Sequence, residues 1–203
     1  MPNSPKTAEQ RLFQIASEQQ GYFTASQAIA AGFQDATHPY HLKNEDWIRE
    51  WRGVYRIARY PQTETGQYVL WSLWSRNRQG ICLGVYSHET ALSLFELSDA
   101  MPEKLHMTVH PTFRRHSEIP HVLVLHRGKI MPRDIEEREG YRVIKPARAI
   151  VDIILEESVS VEVVRQAYRE GKQRGLIRDT DFDRYHKNPE IDRRIREGIG
   201  TLA

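Results

Sequence analysis

Ser87, His88 and Glu89 are, by type, a nucleophile, a general base and an orienting acid. A hydrolytic triad draws such residues from separate elements, and immediate neighbours on a helix do not face one another. The run therefore predicts a helix start, with Ser87 as N-cap and Glu89 in the first turn, where the helix dipole favours an acid. Histidines recur at His106, His110, His116, His121 and His126. His106 and His110 fall on one face of a strand at period two. A metal needs three or four converging ligands, and no close cysteine or aspartate accompanies these histidines, so they are expected to be ordinary strand and loop residues. Glu170-Gly171-Lys172, with Asp152 upstream, has the letters of a metal-dependent nuclease, in which such groups hold Mg²⁺ and orient water. Val161, Val164, Ala167 and Tyr168 recur at helical spacing and place that run on a helix instead. No catalytic residue, metal or cofactor is expected.

Chemistry of a different kind is concentrated nearer the start. Between Arg49 and Arg59 stand four arginines (Arg49, Arg52, Arg56, Arg59) against the single acid Glu50, a local charge of +3. Just before them, a short polar segment of about Asp35 to Glu45 carries Thr37, Tyr40, His41, Lys43 and Asn44. Asparagine can pair bidentately with adenine and lysine can reach guanine acceptors, while arginines on a neighbouring hairpin can hold phosphates or enter a minor groove. The candidate DNA-binding residues are therefore Thr37, Tyr40, His41, Lys43, Asn44, Arg49, Arg52 and Arg56. From Lys104 to Arg148 ten cations face five acids, a second local surplus of +5 whose distribution over the surface the sequence leaves open.

The elements that must position these residues follow from periodicity and punctuation. Ala8, Leu12, Ile15 and Ala16 predict an amphipathic helix from Thr7 to Gln20, ended by Gly21. Thr24 caps a short helix, Ala25 to Ala31, stopped by Gly32. A third helix starts near Asp35 or Thr37, and Pro39 favours the later start because proline suits only a first turn. Trp47 to Ile57, with Arg52-Gly53 at its centre, reads as a two-stranded hairpin. Helix, short helix, glycine turn, helix and hairpin is the order of a winged helix-turn-helix, placed at residues 5–60. Residues 61–67 read as a linker, and 68–203 as a mixed helix–strand domain. That domain is expected to hold a helix over Tyr68–Arg78, strands at Ile81–Tyr86, Leu105–His110 and Val122–Leu125, and helices over Ala147–Leu155 and Val159–Lys172. One or two more helices follow Asp179. The fold class is α+β.

Bulk composition narrows the setting without choosing the function. The 203 residues are 39% hydrophobic and 28% charged, with a net charge of +2, a mean hydropathy of -0.62 and a pI near 8.7. The apolar stretch Val122–Leu125 is far short of the roughly 20 residues a bilayer needs, and the start lacks a signal-peptide pattern. The single cysteine, Cys82, excludes an internal disulfide. A cytoplasmic protein with no membrane partner is expected.

The run Tyr40-His41-Leu42-Lys43, Trp47, Arg49-Glu50, Arg52-Gly53-Val54-Tyr55-Arg56-Ile57 and Tyr60-Pro61 resembles the N-terminal winged helix of AbiEi-type antitoxins of type IV toxin–antitoxin systems. Tyr86-Ser87-His88-Glu89-Thr90-Ala91-Leu92-Ser93-Leu94-Phe95-Glu96-Leu97-Ser98-Asp99, Pro102, His106-Met107-Thr108-Val109, Phe113-Arg114-Arg115 and Pro146-Ala147-Arg148-Ala149 resemble that family's second domain. The resemblance runs over most of residues 10–155. Relatives usually carry glycine near Glu45, and many carry histidine where Phe95 stands. The resemblance implies an autorepressor that binds operator DNA upstream of its own operon, and a second domain that counters a nucleotidyltransferase-like toxin without requiring a direct complex. The alternatives are a general winged-helix regulator or a protein-docking module with no toxin partner, and, less favoured, a metal-dependent nuclease.

Overall fold

The computed structural model describes residues 5–97, 102–115 and 118–200. His116, and the Ser98-Asp99 end of the family-like run, lie outside them. The chain is mixed α+β, as its pattern predicts, and divides into two compact units: residues up to Gly84 with Glu137–Tyr141, and Val85–Glu136 with Arg142 onward.

The first unit opens with α1 (Pro5–Ser17), whose Ala8, Leu12 and Ala16 are buried. The chain then turns through Gly21 at φ +87, where a Cβ would meet the Tyr60 ring at 2.5 Å. A short strand that the sequence pattern did not predict, β1 (Tyr22–Thr24), leads into α2 (Ala25–Ala31). Thr24 and Gln27 close a reciprocal cap: Gln27 N donates to Thr24 Oγ1 at 3.3 Å, and Thr24 N to Gln27 Oε1 at 2.9 Å. Gly32 ends the helix at φ +115, a conformation open to glycine at no steric cost. A 3₁₀ turn (Asp35–Thr37) precedes α3 (His38–Lys43), with Pro39 in its first turn. β2 (Trp47–Trp51) and β3 (Val54–Ile57) form the expected hairpin, and β1 adds to its far side in the order β1-β3-β2, all antiparallel. This is the helix, helix–turn–helix and hairpin arrangement predicted for residues 5–60. Its core is Leu12, Ala16, Phe23, Ala28, Ala31, Trp47 and Tyr55, with Phe33 and Leu42 packed against it.

The unit continues beyond the predicted boundary at residue 60. α4 (Gly66–Trp74) buries Val69, Trp71, Leu73 and Trp74, and Trp71 meets Trp51 edge to face at 5.1 Å. Thr63 and Thr65, expected in a free linker, instead donate their hydroxyls to Gln20 Oε1 at 2.5 and 2.9 Å. The division therefore falls at Gly84, and Trp71 of α4 has its aromatic partner, Trp51, in the first unit.

A five-stranded sheet, most of whose residues belong to the second unit, has the order β6-β5-β4-β8-β7. It comprises β4 (Val85–Tyr86), β5 (Leu105–Val109), β6 (Leu123–Arg127), β7 (Ile135–Arg138) and β8 (Tyr141–Ile144). β4 pairs antiparallel with β5 and parallel with β8, while β5 and β6 are parallel, with Thr108 opposite His126. Four helices complete the unit: α5 (His88–Leu94), α6 (Pro146–Glu156), α7 (Val161–Gln173) and α8 (Pro189–Ile199). Met107, Val143, Ile144, Leu92, Ile150, Ile153, Phe182 and Ile195 are fully buried. No helix among the described residues is long and apolar enough to cross a membrane.

Candidate functional site

The candidate nucleic-acid interface is built on α3 and the β2–β3 hairpin. His38 is buried, its ring meeting Trp47 at 5.2 Å and Tyr55 at 5.8 Å, so that one side of α3 is fixed to the sheet. Burial lowers the pKa of His38 against the pull of Asp35, keeping an uncharged ring in that contact. The opposite side of α3 presents Tyr40, 62% exposed, together with exposed Lys43 and Asn44. The turn out of α3 passes through Glu45 at φ +59, the left-handed conformation a glycine would supply without strain. Arg49 on β2 and Arg52 in the hairpin turn are also exposed. Three nearby acids have local partners: Asp46 with His41 at 3.2 Å, Asp35 with His38 at 3.4 Å, and Glu50 with Arg56 at 2.7 Å.

Three of the eight expected DNA contacts are placed differently. Arg56 is 4% exposed, with Nε on Glu50 Oε1 at 2.7 Å and Nη1 on the Tyr60 carbonyl at 3.2 Å, so it holds the hairpin together rather than reaching a phosphate. His41 stacks on Trp47 at 4.5 Å, with its side chain 17% exposed, and packs as part of the aromatic core. Thr37 is half-buried and donates its hydroxyl to the Gln34 carbonyl at 2.7 Å, closing the 3₁₀ turn. Tyr40, Lys43, Asn44, Arg49 and Arg52 remain as the outward set.

The second unit brings together residues that the sequence presents as unrelated. Ser87 stands at the N-cap position of α5 but makes no capping bond. It is buried, accepts from Thr108 Oγ1 at 2.8 Å and lies 2.9 Å from His88 Nδ1. His88 has φ +52, in the left-handed region that histidine enters more often than most residues, and its ring stacks on His126 at 3.6 Å. His126 Nδ1 is 2.8 Å from Glu156 Oε2, and His88 Nε2 is 3.3 Å from Glu156 Oε1. On the far side of His126, Nε2 lies 3.0 Å from His106 Nδ1, which is itself 3.0 Å from Glu89 Oε2. Glu89 thus serves His106 rather than only the helix dipole. Burial pushes His88 down to about 4 and also lowers His126, so both rings are neutral at pH 7. Burial raises the Glu89 carboxyl, but hydrogen bonds from His106, its own backbone and Ser158 outweigh it and hold the pKa at about 2. His106 and His126, read from the sequence as ordinary strand and loop residues without a close cysteine or aspartate, meet here, and their acidic partners are the glutamates Glu89 and Glu156 on helices. His110 and His121 do lie apart: His110 is exposed beside Thr112, and the His121 side chain is 96% exposed.

The nuclease letters do not assemble. Glu170 and Lys172 lie on α7, where Glu170 accepts from Gln166 at 3.0 Å and Lys172 reaches Asp179 at 2.6 Å. Asp152 is held by Arg148 at 2.8 Å. The basic surplus of the middle region is partly internal as well, since Arg127 Nη1 donates to the carbonyls of Pro111 and Phe113, both at 2.9 Å.

No protein-family model matches the chain, and no curated protein matches it. Among solved structures, that of the RV2827C protein from Mycobacterium tuberculosis is similar at 12% identity and a TM-score of 0.49, over 82% of this chain and 72% of that one. So distant a likeness does not bear on function.

Proposed function

We propose that the chain is a winged-helix DNA-binding regulator that reads an operator with α3 and grips phosphates with the β2–β3 hairpin. One observation carries this reading: Tyr40, Lys43, Asn44, Arg49 and Arg52 all stand exposed on α3 and the adjoining hairpin, and none of the three cations has an ion-pair partner among the described residues. A short helix held to its sheet by buried aromatic rings on one side, with amide and ammonium groups on the other, suits base-edge contacts in a major groove. The resemblance of both halves to AbiEi-type antitoxins extends the reading to an autorepressor whose second unit opposes a nucleotidyltransferase-like toxin.

Fluorescence anisotropy with labelled DNA from upstream of the gene tests the DNA-binding reading. Binding weakens steeply with salt, as counterion release requires, and Lys43→Ala with Arg52→Ala lowers it further. Operator affinity no greater than for unrelated DNA, or unchanged in the double variant, overturns it. The antitoxin role is tested separately, by co-expressing the chain with the product of an adjacent nucleotidyltransferase-like gene and following growth.

A further inference from the structure

We propose that the second unit holds a divalent transition-metal ion of the zinc class, ligated by His88 Nε2, His126 Nδ1 and a Glu156 carboxylate oxygen. Ligand atoms of these three residues lie within 4.8 Å of one another, and each comes from a different element: the first residue of α5, strand β6 and the last residue of α6. Two imidazoles and one carboxylate form a donor set suited to zinc, with a fourth position left for water.

The strongest sign lies at His88. Its side chain is 3% exposed and aimed at Glu156, yet Nε2 makes no hydrogen bond although the carboxylate oxygen is 3.3 Å away. A buried imidazole nitrogen facing a carboxylate without a shared proton is costly, and a cation between them removes the cost. The other ring nitrogens are already occupied, as they are in established metal sites. Ser87 Oγ, which accepts from Thr108 Oγ1, has a second lone pair for His88 Nδ1–H at 2.9 Å. In the tautomer with Nδ1–H donated to Ser87, Nε2 keeps its lone pair toward Glu156. On the other side, His106 Nδ1 lies 3.0 Å from both His126 Nε2 and Glu89 Oε2, so the three groups compete for one proton, and with His106 accepting, His126 Nε2 carries the proton and Nδ1 keeps a lone pair. The two rings stack at 3.6 Å, so an ion shared by both requires them to part, and the Glu156 side chain, 47% exposed and 2.8 Å from His126 Nδ1, has room to move with them.

The test uses the full chain stripped with EDTA. Calorimetric titration with Zn²⁺ gives one ion per chain, Zn²⁺ raises the melting temperature, and Co²⁺ produces visible absorption bands of a low-coordinate site. His88→Ala and Glu156→Gln each weaken Zn²⁺ binding by more than about 100-fold, and His106→Ala, which removes the neighbour of His126 Nε2 and the partner of Glu89, by about 10–100-fold. His121→Ala, at an exposed position, leaves binding unchanged. Should His88→Ala fail to fold, Glu156→Gln decides, because its half-exposed side chain tolerates an isosteric change. Absence of one-to-one binding by the wild type, or affinity unaltered by Glu156→Gln, overturns the proposal. So does a loss as large in His121→Ala as in the ligand variants, which would mark binding by surface histidines.

Discussion

Arg56 and Glu50 are joined at 2.7 Å between the two strands of the hairpin, and the guanidinium is buried while Arg52, in the turn beside it, stands in water. Two arginines of one basic cluster therefore have separate roles. Arg56→Ala removes a charge-assisted bond, a bond to the Tyr60 carbonyl and the packing of the aliphatic stem, and costs about 2–4 kcal/mol of stability. Arg52→Ala changes stability by no more than about 0.5 kcal/mol. Urea unfolding of the two variants separates them, and equal midpoints would remove the structural role of Arg56.

The outward set makes a different kind of claim. Arg49→Ala and Arg52→Ala each reduce the dependence of log K on log salt by about 1 and weaken all DNA sequences alike. Asn44→Ala reduces discrimination between operator and a single-base variant by about 1–3 kcal/mol, with little change for unrelated DNA. His41→Ala instead lowers the unfolding midpoint, because the ring it removes stacks on Trp47. Competition anisotropy at several salt concentrations checks the first two statements, and a thermal melt the third. A salt slope unaltered in both arginine variants would place the phosphate contacts elsewhere.

What the sequence made legible depended on how local the cause was. Thr24 and Gly32 bracket α2 as expected, because capping and left-handed turns are decided within four residues. Arg56 was misjudged because alternation along β3 assigns one face to the core and the other to solvent, whereas Tyr55 and Arg56 are both buried. β7 escaped notice because Ile-Glu-Glu-Arg has no apolar alternation and is only partly buried. The histidine cluster was the least legible. Its convergence needs the parallel β5–β6 register that sets Thr108 opposite His126, and helix ends that bring Glu89 and Glu156 to the same rings. One local signal was available, since Ser87 and His88 adjoin a strand end, where a left-handed residue can turn a side chain back over the sheet.

Gly171 illustrates how packing settles the fate of a motif. A Cβ at this position would meet Ile177 Cδ1 at 2.4 Å and Cγ1 at 2.8 Å, so α7 can approach the following turn only with glycine there. Gly171→Ala therefore costs about 1–3 kcal/mol through overpacking. Lys172→Ala, losing a partly exposed pair with Asp179, costs no more than about 1 kcal/mol. The expected outcome is that supercoiled plasmid incubated with the protein and Mg²⁺ remains intact. Nicking abolished by Asp152→Ala and Glu170→Ala would reverse that expectation.

Asp152 makes stability depend on pH within a defined window. Burial pushes its carboxyl up to about 6, against the pull of Arg148, with Glu156 and Asp134 adding to the rise. In the unfolded chain the same group titrates near 3.9. Between these values the folded state holds a proton that the unfolded state has lost, so this residue's contribution to stability falls as pH rises from about 4 to 6 and is level above that. Asp152→Asn cannot titrate, yet its amide oxygen keeps an acceptor for Arg148 Nε, which lies 2.8 Å from the carboxylate. The wild-type stability minus that of the variant therefore decreases by on the order of 2–3 kcal/mol between pH 4 and 7. Urea unfolding at half-unit intervals measures this difference, in which titrations common to both proteins cancel. A difference constant across the window would mean that Arg148 offsets the burial completely and that Asp152 is ionised in the folded protein throughout.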